Sequence, residues 1–457
     1  DVLKAAERAL KYLTSKGGYK AEDISRPEYQ KLIDETYKMF DSAIRDNDIP
    51  EEMMRALQSD AFLFGSLKTH AQLLEADSLL TKDGRVKSYR ELDDEFRKLN
   101  VEYNQNYLEA EYQFAVNSSQ MAAKWEELDD SGRYLLQYRT AEDDRVRPEH
   151  EELAGTTLPK DDDFWLFYYP PNGWNCRCTV VEVRRGKYDE SDSEEAIKKG
   201  ERATTQIGKD GQNRAAMFRF NPGMEEKLIP QNHPYYPKGC GSDLSALKGL
   251  PVIVLNARKD GCRAKKEIEK LNKERVYTDY EKKLQSKYDK SWTIKDTFPE
   301  KDGYIIVQDG HGKAEMEQNV KSFLPLAKNG EKVELIKQET IMVDGVKRKT
   351  KTHDAILINR NKKWEGKLTK DYINLTNISS KAVQAQEQGA EYVLIDIYKN
   401  KNFNVNDLIK GVDYSFKGTN LKGICVMIES DKYRIISRNQ FENKQYEKIL
   451  KKWLTTY

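Results

Sequence analysis

Residues 138–150 read YRTAEDDRVRPEH, and residues 169–178 read YPPNGWNCRC. Both stretches are rich in arginine and aspartate, whose side chains can form bidentate pairs that hold together loops lacking a sheet ladder. Trp165 and Trp174 can supply a local apolar core. Helical periodicity is absent here, and the region ends in Thr179–Val183, which is patterned like a strand. The sequence therefore predicts a small, irregular α+β domain.

The same stretches contain side chains that can bind a metal. His150, Cys176 and Cys178 are of the residue types that ligate Zn²⁺, with Asp144 or another group as a fourth ligand. The C-x-C pair departs from the usual C-x₂₋₄-C spacing of zinc sites, so a purely structural cluster is the alternative. The sequence leaves both interpretations open.

The flanking regions differ in pattern. From about Pro27 to Leu128, apolar residues recur at helical spacing, and the turn signal Lys82–Gly84 predicts one break between two helices. Residues 184–300 are rich in Lys, Glu, Ser and Gly with Pro-punctuated pieces, which predicts loops and a helical connector. One apolar run in this connector, Pro251–Leu255, is a candidate strand.

The arginine-rich stretch and the C-R-C stretch resemble the Mu F-like phage minor head proteins, also called the phage head morphogenesis domain. In that family a block of the form YRTA.D.RVR..H precedes a Pro-Pro and a terminal C-R-C. The resemblance covers about Ser66–Val183, and FNPG at residues 220–223 and HPYY at residues 233–236 look like its trailing elements. It includes three residues of the preceding helices, Tyr103, Asn104 and Glu111.

This resemblance implies a role in phage head assembly, with a few copies per virion near the portal. Portal and capsid proteins are the partners it implies. It also implies that the chain sometimes enters the host with the DNA, so the virion and the bacterial cytoplasm are the expected locations. No catalytic role follows from it.

After Gly303 the sequence alternates between strand-like and helical segments, which places a mixed sheet under helices. The predicted strands are Tyr304–Val307, Lys332–Ile336, Ala355–Ile358, Lys363–Lys367 and Glu391–Ile397, with a hairpin turn at Val343–Gly345. The predicted helices are Ala314–Leu324, which Pro325 would end, and Ile378–Gln388.

Charge is distributed unevenly along the 457 residues. The net charge is +1, yet residues 301–457 contain 28 basic and 20 acidic residues, which leaves residues 1–300 with a net charge of −7. A basic C-terminal part suits a phosphate-rich partner such as tRNA or DNA. Lys349, Lys351 and Lys363 would contribute to nucleic-acid binding, the alternative for each being a solvated strand face.

Composition limits other possibilities. No apolar run approaches the roughly 20 residues of a membrane-spanning helix, and no apolar segment typical of a signal peptide follows Asp1. Five cysteines, an odd number, do not indicate a disulfide framework and favour a reducing cytoplasm. Cys425 lies in an apolar run and is expected in the core.

A carboxylate-lysine pattern lies within the basic part. Asp354 begins a predicted strand, and Glu365 and Lys367 project from one face of the next strand because side chains alternate along a strand. Two carboxylates at a strand end can hold Mg²⁺, and a nearby lysine can orient or deprotonate the attacking water. Glu317, or else Glu315, would complete the metal shell from the preceding helix.

The order of these elements resembles the PD-(D/E)xK nuclease superfamily, although His353 replaces the leading proline of the family. The pattern from Glu317 to Val393 also resembles the C-terminal nuclease domains of CdiA-type contact-dependent inhibition toxins, many of which cut tRNA, and this similarity spans about Gly303 to Leu454. The resemblance implies catalytic roles for Asp354, Glu365, Lys367 and Glu317, and an immunity protein as a further partner.

Together these patterns predict a multidomain protein. Residues 1–183 form a mostly α-helical arm with the small α+β head-morphogenesis domain, and residues 184–300 form the connector. Residues 301–457 form an α/β domain with a restriction-endonuclease-like mixed sheet.

Two alternatives remain for the C-terminal part. It resembles metal-independent ribonucleases of the barnase, EndoU and colicin type as well, in which His353, Lys367 and Thr376 or Ser380 would act. In the other alternative the chain is a purely structural virion protein that only binds nucleic acid or the portal there. His311 is expected to be a turn residue.

Overall fold

The computed structural model describes residues 1–82, 85–238, 240, 252–337, 340–343, 346–349, 354–368, 375–397, 404–429 and 432–455. The chain forms two compact units, Asp1–Lys273 and Glu274–Tyr457. A multidomain protein with a helical N-terminal region and a C-terminal mixed sheet is thus confirmed, while the predicted boundaries after residues 183 and 300 stay predictions.

Long helices build the N-terminal part of the first unit. They are α1 (Val2–Lys16), α2 (Pro27–Arg45), α3 (Glu51–Leu79), α4 (Tyr89–Val101) and α5 (Leu108–Glu127), with a π-helical segment at Glu102–Tyr107. Between α3 and α4, β1 (Thr81–Lys82) pairs with β2 (Arg85–Val86), so the predicted break is confirmed. The prediction of only one break is wrong, because a second interruption separates Arg45 of α2 from Glu51 of α3. A capping box begins α4, where the Ser88 backbone N–H donates to Glu91 Oε2 at 2.8 Å.

A small antiparallel sheet follows the helices. Its strands β3 (Tyr134–Arg139), β4 (Thr157–Leu158) and β5 (Thr179–Arg184) lie in the order β4-β3-β5, and the short helices around it are α6 (Pro148–Glu151), α7 (Phe164–Tyr168) and α8 (Ser193–Ala203). The predicted strand at Thr179–Val183 is confirmed. Trp165 is fully buried in the local core, whereas Trp174 packs on Phe114 of α5, with ring centroids 5.2 Å apart.

Residues beyond the small sheet complete the helical core of this unit. Helix α9 (Pro222–Glu225) lies so close to α5 that a Cβ on Gly223 would stand 2.3 Å from Cβ of Trp125. Asp60 of α3 is buried, and its Oδ2 accepts the backbone N–H groups of Leu228 and Ile229 at 2.9 and 3.1 Å. The segment that contains FNPG (residues 220–223) and HPYY (residues 233–236) therefore packs against the helices of the first unit.

Helix α10 (Val252–Lys287) corrects the prediction of a strand at Pro251–Leu255, because Val252 to Leu255 belong to this helix. A short apolar run cannot be assigned to strand or helix by periodicity alone, and the long charged segment that follows it is helical. Among the helices that the structure describes, none combines the length and apolarity needed to cross a bilayer.

The cysteines divide into paired and free groups. Cys240 forms a disulfide with Cys262 of α10, which the odd cysteine count did not predict. A Cβ on Gly261 would lie 2.9 Å from Cβ of Pro237, so this close approach brings the two cysteines together. Cys425 is not part of a disulfide and is fully buried in the core, as predicted.

An eight-stranded mixed sheet forms the second unit, in the order β15-β14-β13-β12-β11-β8-β7-β6. Its strands are β6 (Trp292–Phe298), β7 (Gly303–Gln308), β8 (Lys332–Leu335), β11 (Ala355–Leu357), β12 (Lys362–Leu368), β13 (Tyr392–Asp396), β14 (Gly423–Glu429) and β15 (Lys432–Ser437). The neighbours β7–β8, β12–β13 and β13–β14 are parallel and the others antiparallel. A separate hairpin pairs β9 (Thr340–Val343) with β10 (Val346–Lys349).

Helices cover both faces of this sheet. They are α11 (Lys313–Lys328), α12 (Leu375–Glu387), α13 (Val405–Gly418), α14 (Arg438–Glu442) and α15 (Tyr446–Thr455). On one face Phe323 of α11 packs with Trp364 of β12, and on the other Ile378 of α12 packs with Val393 of β13. The two faces of β13 therefore serve two separate cores, with Leu394 in one and Val393 in the other.

The predicted strands and both predicted helices of this unit are confirmed, with one correction. Pro325 does not end α11, which continues to Lys328. The proline lies in the last turn of the helix, where its missing N–H removes one helical hydrogen bond and few further ones depend on it. Its carbonyl accepts the Asn329 side-chain amide at 2.9 Å.

We expect Gly303→Ala to destabilise the second unit by about 3 kcal/mol. A Cβ at this position would lie 1.8 Å from the backbone oxygen of Ala327, so β7 and α11 would have to separate. Hydrogen exchange of β7 and α11 amides in the full chain measures the effect. Gly418→Ala is the matched control because a Cβ there meets nothing within 4 Å, and equal protection in both variants would contradict this close packing.

Candidate functional site

The first candidate site joins α6 to the C-R-C stretch. His150, Cys176 and Cys178 are all buried, and their ligand atoms lie within 4.8 Å of one another. His150 Nδ1 is 3.7 Å from Cys176 Sγ and 3.6 Å from Cys178 Sγ. The structure thus brings together the three residues predicted as zinc ligands, whereas Asp144, the suggested fourth ligand, is exposed.

An ion pair and several hydrogen bonds hold the two loops that carry this site. Both guanidinium Nη atoms of Arg177 donate to the Asp143 carboxylate at 2.6 Å, as the bidentate pairing predicted. Asn117 of α5 donates from Nδ2 to the Cys176 carbonyl at 2.8 Å, and Arg147 Nη2 donates to the Trp174 carbonyl. The loop carrying Cys176 is therefore attached to α5 and to the arginine-rich loop.

The two thiols of this site have unequal acidity. A hydrogen bond from the Cys178 thiol, supported by the His150 ring, holds the pKa of Cys176 well below its ordinary value. Interaction with Cys176, together with burial, raises the pKa of Cys178. The pair therefore favours one thiolate, which is the form that binds metals.

The second candidate site lies where β11 and β12 meet. Asp354 precedes β11, and its backbone N–H donates to Glu365 Oε2 at 3.0 Å. Asp354 Oδ2 accepts the Gly366 backbone N–H at 3.1 Å, and Lys367 Nζ donates to Glu365 Oε1 at 2.5 Å. Three of the four residues predicted as catalytic are therefore adjacent.

Burial and mutual repulsion raise the pKa values of the two carboxyl groups in this pair. Burial, with the Asp354 charge as the next cause, raises the pKa of Glu365 from 4.5 to about 7. Burial also raises the pKa of Asp354, against the opposing effect of the Gly366 hydrogen bond. Two carboxylates in this state gain from any cation that binds between them.

Helix phase decides which acid of α11 approaches this pair. Glu315 is one helical turn before the buried Asn319, and its charge contributes to the raised pKa of Asp354. Glu317 is two residues further on, which points it about 200° away, although both acids are exposed. The structure therefore favours Glu315 over Glu317 as the third acid.

Sequence reasoning missed two polar residues of this site. Gln388, just after α12, accepts Lys367 Nζ through Oε1 at 2.6 Å. His311 lies in the predicted turn, yet its ring is buried and affects the pKa of Asp354. Its Nδ1 donates to the Ile336 carbonyl at 2.6 Å because Asn319 Nδ2 donates to Nε2 at 3.2 Å. The position of Gln388 at a helix end facing Lys367 could not be read from spacing.

The remaining predicted residues fall in different places. Lys363 is exposed on β12 beside the site, while Thr376 and Ser380 are exposed on α12. The backbone of Lys349 belongs to β10. Lys351 and His353 lie outside the described residues.

The pH dependence of stability provides a test of the raised pKa of Glu365. The unfolded chain releases this proton near pH 4.5 and the folded chain near pH 7. Between these values the folded state binds more protons, so this group lowers the free energy of unfolding as the pH rises, by about 3 kcal/mol at most. We expect Glu365→Gln to flatten this decline, measured by hydrogen exchange of β12 between about pH 5 and about pH 8 in chelator. An unchanged slope would contradict it.

Comparison with known proteins identifies part of the first unit. Residues 84–181 match the family described as Phage Mu protein F like protein. The putative capsid assembly protein F of Escherichia phage Mu is 38% identical over 98 residues, which are 21% of this chain and 20% of the phage protein. The Mu-like prophage FluMu F protein of Haemophilus influenzae is 33% identical over 150 residues, 30% of this chain and 35% of that protein.

The chain therefore matches about a fifth to a third of the length of these relatives. The matched segment contains the arginine-rich stretch and the C-R-C stretch, including all three residues of the first candidate site. No solved structure matches the chain.

Proposed function

Since residues 84–181 form a Phage Mu F-like domain, we propose that this chain is a head-assembly protein of a phage or prophage, with capsid or portal proteins as its partners. The observation that carries the proposal is the family match over residues 84–181, which include α4 and α5, together with 38% identity over 98 residues to a relative named as a putative capsid assembly protein. The ion pair of Arg177 with Asp143 and the fully buried Tyr138 and Trp165 stabilise the fold of this segment.

Particle composition tests this proposal. Mass spectrometry of particles purified from the encoding phage or prophage should detect peptides of both units at a few copies per particle. Removing the gene should lower the yield of filled heads, and the intact gene supplied in trans should restore it. Normal particle yield without the gene, together with its absence from particles, would overturn the proposal.

We further propose that the second unit is a metal-dependent nuclease. The observation that favours this function is the contact of Asp354, Glu365 and Lys367 at one end of β11 and β12. The order α11, β8, β11, β12, α12, β13, with three antiparallel strands followed by a parallel one, supports a restriction-endonuclease-like arrangement. The basic composition of this part supports a nucleic-acid substrate.

The donor set fits a divalent cation. Asp354 and Glu365 would hold Mg²⁺, because two buried carboxylates with raised pKa values offer hard oxygen ligands whose repulsion a cation removes. When bound, Mg²⁺ supplies charge neutralisation at the phosphate and a more acidic water. Glu365 and Gln388 hold Lys367 Nζ in place, where it orients the attacking water and offsets negative charge in the transition state.

A digest with the full chain tests the nuclease. Total tRNA and plasmid DNA are incubated with the protein, with Mg²⁺ or with excess EDTA. Cleavage of either substrate that needs Mg²⁺ supports the proposal and identifies the substrate. Cleavage that survives full chelation would instead support the metal-independent ribonuclease, and no cleavage of either substrate would support a structural or binding role.

A further inference from the structure

We propose that the Mu F-like domain contains a Zn²⁺ site formed by His150, Cys176 and Cys178, with its fourth coordination position open to a surface cavity. The three residues belong to the first unit, and none of them takes part in the proposed nuclease site. Two features of the structure carry it, the distances among the three ligand atoms and the cavity that adjoins them.

The ligand distances agree with tetrahedral coordination. With a Zn–N bond of about 2.0–2.1 Å and a Zn–S bond of about 2.3 Å, a tetrahedral angle separates N and S by about 3.6 Å. The two observed separations from His150 Nδ1 are 3.7 Å to Cys176 Sγ and 3.6 Å to Cys178 Sγ. Metal binding therefore requires little movement of these side chains.

The site is held by both of its loops. The His150 backbone N–H donates to the Arg147 carbonyl at 2.9 Å, which sets the short helix α6. Arg177, between the two cysteines, points outward to Asp143, so that Cys176 and Cys178 both turn inward. The C-x-C spacing, unusual for zinc, thus places two thiols on one side of the chain and an ion-paired arginine on the other.

The metal-bound form also defines the state of the histidine. Zn²⁺ on Nδ1 leaves the proton of the neutral ring on Nε2, and the two cysteines bind as thiolates. Arg147 Nη1 lies 3.4 Å from Nε2, a long contact that would be given up on metal binding, while Nη2 keeps its hydrogen bond to the Trp174 carbonyl.

The fourth position faces solvent. A cavity of about 540 Å³ is lined by all three ligands and also by Glu109, Asn117 and Arg145. Among the residues that the structure describes, His150, Cys176 and Cys178 form a group of three without a fourth His, Cys or acidic ligand. Three protein ligands with an open position leave room for a water molecule, in contrast to closed sites with four protein ligands.

Metal analysis of the full chain, purified under reducing conditions, tests the site. We expect about one zinc per chain, and Co²⁺ in its place should give the visible bands of tetrahedral coordination and a thiolate charge-transfer band. Cys176→Ser and Cys178→Ser should each weaken zinc binding more than about 100-fold. Cys425→Ser, which removes another buried thiol that is not part of a disulfide, is the matched control and should keep full zinc content.

Thiol alkylation keeps the test decisive if a serine variant fails to fold. In the unmodified protein, zinc should protect Cys176 and Cys178 from alkylation, and a chelator should remove that protection while the far-ultraviolet spectrum stays folded. A folded protein that takes up neither zinc nor cobalt would overturn the proposal. A Cys176–Cys178 disulfide that persists in reductant would overturn it as well.

Discussion

Glu365→Gln is expected to lower Mg²⁺-dependent cleavage by the full chain by about 10²–10³-fold or more, the size of effect that follows loss of one charged contact to a transition state. The substitution keeps the shape of the side chain and its hydrogen-bond acceptor for the Asp354 N–H. It removes one negative ligand and the charge that holds Lys367. Initial rates of tRNA and DNA cleavage at saturating Mg²⁺ measure it.

Two further variants separate chemistry from folding. Lys367→Met should reduce the rate by a comparable factor while leaving Mg²⁺ binding in place, because the carboxylates remain. Glu442→Gln, an exposed acid of α14, is the matched control and should keep full activity. If Glu365→Gln and Glu442→Gln cleave equally fast, the site at β11 and β12 is not the catalytic one.

Spacing alone was sufficient to predict the relation among Asp354, Glu365 and Lys367. Side-chain alternation puts residues 365 and 367 on one face, and the antiparallel pairing of Ala355 with Trp364 puts residue 354 opposite residue 365. The third acid depends on the rotation of α11 about its axis, which the sequence pattern of the helix leaves open. Burial of Asn319 shows that the rotation turns Glu315 toward Asp354.

Two parts of the fold could not be predicted from the sequence, for different reasons. The run Val252–Leu255 is β-branched and apolar, yet it belongs to α10 because local propensity is overridden by the helix that continues it. Residues 220–236 contain no periodic pattern, so their place in the core could not be predicted. Their apolar side chains, such as Leu228 and Ile229, join the helical core. In addition, the carboxylate of Asp60 accepts the backbone N–H groups of these two residues, which are far away in sequence.

Lys68→Met is expected to destabilise the first unit by about 3–5 kcal/mol, because it leaves a buried acid without its partner. Lys68 Nζ lies 2.8 Å from Glu111 Oε2, and the two side chains are 1% and 3% exposed. Burial lowers the pKa of Lys68 and raises that of Glu111, so each ion depends on the other for its charge.

Hydrogen exchange of α3 and α5 amides in the full chain measures this loss without requiring two-state unfolding of both units. Lys198→Met, an exposed lysine of α8, is the control and should change stability by no more than about 0.5 kcal/mol. Equal protection of α3 in the two lysine variants would mean that the buried ion pair contributes nothing.

The aromatic groups around Lys68 predict an asymmetry between the two partners. The ammonium lies 5.4, 5.8 and 5.3 Å from the ring centroids of Tyr103, Tyr107 and Tyr235. In Glu111→Leu the cation keeps its contacts with these three rings, whereas in Lys68→Met the carboxylate of Glu111 loses its cationic partner. We therefore expect the Glu111 variant to cost less than the Lys68 variant.

The double variant Lys68→Met with Glu111→Leu should recover most of the stability, since apolar residues of similar volume replace both charges and methionine packs well on tyrosine rings. Recovery would mean that the pair selects one arrangement of α3, α5 and Tyr235 rather than adding net stability. The Phage Mu F-like match ends at residue 181. The contacts of Lys68 with Glu111 and Tyr235 therefore link the matched segment to residues that lie beyond it in the sequence. A double variant as unstable as Lys68→Met alone would place the cost in lost packing instead of the unpaired charge.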